Sequence, residues 1–461
     1  MRVSTYKQLP QEQRGYVQFV ARETCIARDE LYMSWLINNG AKSFINIPTA
    51  HIYEYYFEHG PAMKTLKHLA LWMERNWTKH ITAYPLKKRT IIQSAKNLSL
   101  ASRTDDRSTI QKAYKHYMRA LYNFGEYIWS AWALIYHIEP EVILQCPDTL
   151  DRIMSLERPI EFLAMKQALF RLPPDQIIKR YGWLNMYNPF NTPYSVEEVI
   201  KLKQETSKRE IEEHVRRFSI TRRTFRRLLA SIPDNSLRKK VQMVHAYAFL
   251  KTDRIDAWRQ VMAGARGFFE YLAGRKKGLT LNETCNMFSG EILDALTSSV
   301  FPPIEQLRLR SAHRAAYYLH NNTVDIVYDQ RLIRETTKKL QESLSNDKTL
   351  KGIVACKGQA RGRVVVIAHS DDLKKVRQGD IFVAKYTFPS FTPFMLKCGA
   401  IVTDEGGITG HAAIVSREYN KSCIIATQMA TRILHDGDMV DVDANRGIIT
   451  VLKKYSKYGY S

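Results

Sequence analysis

Apolar and polar positions alternate in two different ways along the chain. Up to about residue 350, apolar residues recur every three or four positions over long runs, the period of amphipathic helices. Residues 114–137 hold one glycine, Gly125, and no proline, and read as a helix. Residues 195–215 open on Ser195 with Glu198 three positions on, the pattern of a capping box. Further helices are expected at 237–273 and 280–297, with Pro302 and Pro303 as punctuation, then at 304–319, followed by a shorter mixed piece at 325–338. A helical stretch is also expected to begin at Arg22. Beyond residue 350 the texture changes. Segments 364–368, 381–384, 400–403, 423–426, 439–442 and 448–452 are short, apolar and β-branched, and turn signals at 378–380, 436–438 and 445–447 separate them. Two helices fit between these strands, 391–397 after Pro389 and 412–419.

Composition sharpens the boundary. Residues 1–350 carry 10 of the 21 glycines and residues 351–461 carry 11. Helices disfavour glycine and tight connections between strands use it. The expected fold is therefore α+β and multidomain, a large mostly α-helical N-terminal region followed by a compact α/β domain. The divisions expected are a helical region at 1–160, a helical domain with a basic cluster at 161–345, the α/β domain at 351–452 and a flexible tail at 453–461. No run of ~18 consecutive apolar residues suggests a membrane span, and the first residues lack an apolar signal core. Six cysteines lie far apart with no CxxC pair, so neither a zinc ribbon nor a dithiol motif is indicated. Cys398 and Cys423, in apolar surroundings, read as core. The expectation is a cytoplasmic protein with reduced thiols.

Charge adds one feature. The chain carries 69 Lys+Arg against 46 Asp+Glu, a formal net charge of +23. It is spread along the chain except for a concentration at 201–240, which includes Lys208, Arg209, Arg216, Arg217, Arg222, Arg223, Arg226, Arg227 and Arg238 to Lys240. Two readings stay open there: a nucleic acid or other anionic partner, or a solvated face tempered by Glu210, Glu212 and Glu213.

The stretch from Thr403 to Glu418 carries the chemistry. A strand runs into an acidic, glycine-rich turn (Asp404, Glu405, Gly406, Gly407), which delivers Thr409, Gly410 and His411 to a helix start. A helix N-terminus disfavours the imidazolium, so His411 is expected neutral and nucleophilic near pH 7. The same terminus and the turn amides would stabilise a phosphoryl group placed on it. Thr409 is expected to donate its hydroxyl to that phosphate. Arg417 and Glu418 are expected to orient the helix or meet the donor, and Asp404 and Glu405 to shape the turn. No metal site is expected in this chain.

This segment resembles the phosphohistidine motif of the phosphoenolpyruvate-utilising family, which includes phosphoenolpyruvate synthase, pyruvate phosphate dikinase and rifampin phosphotransferase. The family pattern is close to T-D-x-G-G-x-T-S/C-H-A-A-I-V-A-R-E, and the chain departs from it at Gly410 and Ser416. The resemblance continues through 352–362, through the G-D-x-L-V-A-x-x-T-x-P-like segment at 379–389, through 393–395 and 400–404, and into a closing hairpin with Asp436, Asp438, Val440, Val442, Asp443 and Gly447. It covers about 351–452 and implies a swivelling phosphohistidine domain with His411 as phosphoryl acceptor. A weaker likeness at 181–198, together with Asp253, Arg254, Glu291 and Arg310, is similar to the helical region before that domain in synthase-like members. Trp183 stands where the rifampin enzymes carry a histidine-containing variant, which disfavours the rifampin reaction. No ATP-grasp module or G-x-x-x-x-G-K-S/T loop is recognisable, so ATP and Mg2+ are implied only through a partner. The function expected is a phosphotransferase (kinase-like) component in which His411 takes a phosphoryl group from an ATP- or phosphoenolpyruvate-derived donor on a separate ATP-grasp-type protein. It would pass the group to a small-molecule acceptor, with pyruvate, water or an antibiotic-like hydroxyl all open and no membrane involved. The alternative is a non-catalytic swivelling-domain protein with a binding or regulatory role, reaching nucleic acid through 201–240.

Overall fold

A computed structural model of the chain describes residues 2–5, 16–22, 26–48, 53–146, 149–186, 188–320, 323–345, 349–368, 370–387, 391–407, 410–427 and 429–454. The chain divides into two units, Met1–Leu9 with Val20–Ile333, and Pro10–Phe19 with Arg334–Ser461.

Three long helices organise the first unit: His59–Ala101, Arg107–His137 and Asn235–Gly274. Two start on aspartate caps. Asp106 accepts from the Ser108 and Thr109 amides at 3.2 and 3.0 Å, and Asp234 accepts from those of Ser236 and Leu237 at 2.9 and 3.2 Å, satisfying amides that a helix start leaves unpaired. The box at Ser195 and Glu198 forms as expected and opens helix Val196–Gln204, but the expected 195–215 stretch breaks there and a second helix runs over Lys208–Ser231. His59–Ala101 kinks at Asn76 and carries Pro85 within it. The helices pack through aromatic rings, with Tyr114 stacked on Phe268 at 5.3 Å between ring centres. Burying one such large apolar side chain stabilises the unit by roughly 1.5–3 kcal/mol.

The helical unit also contains a sheet that the sequence pattern did not suggest. Its strand order within this unit is Arg2–Thr5, Thr323–Val327, Ala316–His320, Ser43–Pro48, Tyr53–Glu58. Three expectations are corrected here. The 304–319 stretch is a helix only over Ile304–Ser311. His313 then takes a positive φ of 55°, and Ala316–His320, rich in tyrosine, becomes a strand between two antiparallel neighbours. The 280–297 stretch splits into Leu281–Cys285 and Ser289–Ser298. Phe288 between them is extended, its amide donating to Glu291 at 2.9 Å, while the buried Glu30 carboxylate accepts from the amide and hydroxyl of Ser289, each at 2.7 Å. At Arg22 a strand ends, and the next helix is Ile26–Asn38.

The second unit is built on an eight-stranded sheet in the order Thr349–Lys351, Ile448–Lys453, Met439–Asp443, Gln359–Ile367, Ile381–Ala384, Ala400–Thr403, Ser422–Ile425, Ile353–Cys356. The four strands from Gln359–Ile367 to Ser422–Ile425 are parallel in sequence order. Three of them are buried at every position, as expected for parallel strands covered on both faces, and they read as unbroken apolar runs for that reason. Helix His411–Glu418 lies against Ser422–Ile425 and Ile353–Cys356. Cys398 and Cys423 are buried in this unit, and burial pushes both thiols up to about 12.

Candidate functional site

Strand Ala400–Thr403 does not end cleanly. Its ladder to the neighbouring strand continues as Asp404 donates its amide to Ala384 O at 3.1 Å and Glu405 donates to Lys385 O at 2.8 Å. This carries the chain to the sheet's end in a fixed register. Asp404 then anchors the turn. Its buried carboxylate accepts from the Thr427 hydroxyl at 3.0 Å, from the Thr431 amide at 3.1 Å and from the Thr431 hydroxyl. Burial raises its pKa, and the threonine bonds oppose that rise. Glu405 faces Lys385 at 3.8 Å. Gly406 sits at φ +126°, a conformation that side chains rarely adopt. The turn closes where Gly410 donates its amide to Gly407 O at 2.7 Å. A Cβ on Gly410 would lie 3.0 Å from that oxygen, so the turn is shaped around glycine where the family carries Ser or Cys. Thr409 lies outside the described residues.

His411 is the first residue of helix His411–Glu418, with Gly410 as an extended N-cap that offers no side chain. Both ring nitrogens meet threonine hydroxyls: Nδ1 stands 2.9 Å from Thr387 Oγ1, and Nε2 stands 3.2 Å from Thr392 Oγ1. A neutral imidazole has one N–H and one lone pair, so one of these hydroxyls accepts and the other donates. Partial burial holds the His411 pKa below the ordinary histidine range, and the Glu418 carboxylate on the next turns opposes that shift. The ring is therefore neutral near pH 7, as its place at a helix start suggests.

Of the other expected site residues, Gly406, Gly407 and Gly410 form the turn that leads into His411. Asp404 acts from behind it, as a tether to Thr427 and Thr431. Glu418 is exposed and reaches His411 through its charge alone. Arg417 is half-buried, and its charge is felt by the thiols of Cys356 and Cys423 on the strands beneath the helix. Sequence reasoning passed over Thr387 and Thr392. The signal for Thr387 was the threonine of the T-x-P segment at 387–389, and Thr392 gave none.

In the helical unit, the residues singled out by weaker likeness are engaged in packing. Arg310 is buried and pairs with both Glu291 oxygens at 2.6 and 2.8 Å. Asp253 accepts from Tyr84 at 2.8 Å and from Lys88 at 2.7 Å, and Arg254 donates to Ile128 O at 2.6 Å. A cavity of about 500 Å³ in this unit is walled by Ile160, Phe162, Leu163, Ile211 and Phe218.

Comparison with known proteins locates the likeness in the second unit. The family model described as PEP-utilising enzyme, mobile domain, matches residues 376–447. The chain is 44% identical over 121 residues to a probable phosphoenolpyruvate synthase of Archaeoglobus fulgidus, a match covering 25% of this chain and 16% of that protein. It is 45% identical over 114 residues to the phosphoenolpyruvate synthase of Pyrococcus furiosus, covering 25% of this chain and 14% of the relative. An uncharacterized phosphotransferase of Bacillus subtilis is 36% identical over 115 residues, again 25% of this chain and 14% of the relative. The chain thus spans about one-sixth or less of the length of these relatives. A solved structure of aconitase X from Thermococcus kodakaraensis covers 23% of this chain and 98% of its own at 20% identity, with a TM-score of 0.20, too low to speak for the fold. Among the described residues no helix is long and apolar enough to cross a membrane. The second unit carries a mobile domain of the phosphoenolpyruvate-utilising enzyme family, homologous to that of the phosphoenolpyruvate synthases, and a large helical region precedes it.

Proposed function

We propose that this protein is a phosphotransferase component in which His411 carries a phosphoryl group between a donor site and an acceptor. The observation that supports it most is a neutral histidine at a helix start, held at both ring nitrogens by Thr387 and Thr392, within a domain of the phosphoenolpyruvate-utilising family.

The shorter Nδ1 contact favours Nδ1 as the protonated nitrogen, donating to Thr387 Oγ1. Nε2 then holds the lone pair, and the Thr392 hydroxyl turns away as phosphorus approaches. The lone pair forms the N–P bond, the P–O bond of the donor breaks, and its electron pair leaves on the donor oxygen. The proton stays on Nδ1, held by Thr387. In this reading the amides at the start of the His411 helix stabilise the new dianion, with Thr409 just before them in sequence. In the return step the acceptor oxygen, its proton released to a base at the acceptor's own site, takes the phosphoryl group and the N–P electrons go back to Nε2. Positioning and charge stabilisation supply most of the acceleration in such transfers.

Asp404 and Glu405 are committed within the turn. Among the described residues no group of three His, Cys, Asp or Glu side chains is placed to hold a metal ion. ATP and its Mg2+, where they serve as donor, belong in this reading to a separate nucleotide-binding protein of the ATP-grasp type. The acceptor is a small molecule.

The test is transfer of labelled phosphate from ATP or phosphoenolpyruvate to the full chain in extract of its own cells. Acid-labile, base-stable label that disappears in His411→Ala is the expected result. Label that persists in His411→Ala, or none from either donor, rejects the reading in favour of a non-catalytic role for the domain.

A further inference from the structure

Helix Lys208–Ser231 has two unlike sides. Its inner side is fixed in the helical unit. Ile211 and Phe225 are buried and the Phe225 ring stacks on His245 with centres 3.4 Å apart, while at the margin between the two sides the Arg222 Nε lies 3.7 Å from the Glu157 carboxylate. Its outer side is cationic. Arg216, Arg222, Arg223, Arg226 and Arg227 are all exposed. Glu210, Glu212 and Glu213 fall in its first two turns, and no Asp or Glu occurs from 214 to 233. Arg223, Arg226 and Arg227 have no acidic partner among the described residues. Arg222 and Arg226, and Arg223 and Arg227, are four apart, so like charges crowd one face and work against the helix. A bound polyanion relieves that repulsion.

From the exposed face of this helix we infer a binding site for the phosphate backbone of a nucleic acid. From Arg216 to Arg227 the helix advances about 16 Å. That is enough to cross a major groove of ~12 Å, or to run beside about five base-pair steps of a duplex at ~3.4 Å of axial rise each. The arginines stand on a helix pinned by Phe225, so their spacing is set before binding. A lipid surface is a poorer match. An amphipathic membrane helix buries its apolar side in the bilayer, and here Ile211 and Phe225 are already buried in the protein, which leaves only Val215 and Ile220 as exposed large apolar side chains of the helix among the described residues. Five arginines on phosphates predict affinity without base preference and with steep salt dependence. The site neither requires nor uses His411, so it stands apart from the phosphoryl-carrier reading.

The experiment is fluorescence anisotropy of the full chain with labelled 20-nucleotide probes, single-stranded and duplex, from 50 to 300 mM salt. Expected is binding whose log affinity falls against log salt with a slope of about −4. The duplex arm and the single-strand arm separate the two forms of the ligand. Replacing Arg223, Arg226 and Arg227 with glutamine, a good helix former, is expected to reduce the slope to about −2. Replacing Lys374, Arg446 and Lys453, which removes the same charge elsewhere, is expected to leave it near −4. Equal loss in both triple variants, a slope near zero, or binding only to vesicles of anionic lipid overturns the inference.

Discussion

Thr387 Oγ1 stands 2.9 Å from His411 Nδ1, joining the segment after strand Ile381–Ala384 to the first residue of helix His411–Glu418. The bond crosses 24 residues of sequence and fixes the rotation of the ring. Removing the hydroxyl at constant shape therefore acts on His411 alone. Thr387→Val is expected to slow phosphorylation of His411 about three- to tenfold, the worth of one hydrogen bond. Thr387→Ser should restore most of the rate. Rates measured with whichever donor labels the protein decide it, and a Thr387→Val variant as fast as the parent would remove Thr387 from the site.

The His411 pKa is held below its ordinary value by burial. The reactive form is the neutral ring, so the acid limb of the phosphorylation rate should fall below the ordinary histidine value of about 6.5. Glu418 opposes the depression, so Glu418→Gln should move the limb to still lower pH. NMR titration of the His411 ring checks both directions. A limb above 6.5, or one moved upward in Glu418→Gln, contradicts the assignment.

Gly410 leaves only 3.0 Å between a would-be Cβ and Gly407 O. Gly410→Ser, although it restores the family residue, is expected to strain the turn and displace His411. Phosphorylation should fall in this variant while the domain stays folded. A Gly410→Ser protein that reacts faster than the parent would show that the turn adapts and that the missing side chain limits the reaction.

Much of the second unit was legible in the sequence, because parallel strands buried on both faces are short unbroken apolar runs and glycine marks their turns. The strand at 400–403 follows from its apolar run, and the histidine at the head of the next helix from the stretch Thr403 to Glu418. The threonines that hold the ring were not legible, since their role depends on two segments meeting over the sheet end. The sheet of the helical unit was hidden for a related reason. It pairs Arg2–Thr5 with Thr323–Val327 across more than three hundred residues, and the Ala316–His320 strand is a five-residue run just behind a true helix. Proline at 302 and 303 gave the start of that helix, but only tertiary pairing ends it.

Two buried groups in the helical unit give stability predictions, and all seven tryptophans lie in that unit, so intrinsic fluorescence reports its unfolding. Arg310 pairs with Glu291 in the interior. Arg310→Met leaves the largely covered Glu291 carboxylate without its cation and should cost about 3–5 kcal/mol in urea unfolding. A loss under about 1 kcal/mol would mean that water reaches Glu291.

Asp256 is buried 2.9 Å from Arg259, with one carboxylate oxygen lacking a hydrogen-bond partner. Burial, then the neighbouring Asp253, pushes its pKa up to about 7. Between about pH 4 and 7 the folded unit holds a proton that the unfolded chain has released. Stability therefore falls as pH rises across that window. The parent should lose urea resistance from pH 5 to 7.5, and Asp256→Asn should lose less. Identical pH dependence in the two proteins would exclude Asp256 as the cause.

The central claim is that His411 carries phosphate, and its most direct measurement is mass spectrometry of the protein purified from its own cells and kept alkaline throughout. A phosphoryl group on the peptide holding His411, absent from His411→Ala, is expected. An unmodified His411 that stays unmodified after ATP or phosphoenolpyruvate is added to the cell extract would contradict it.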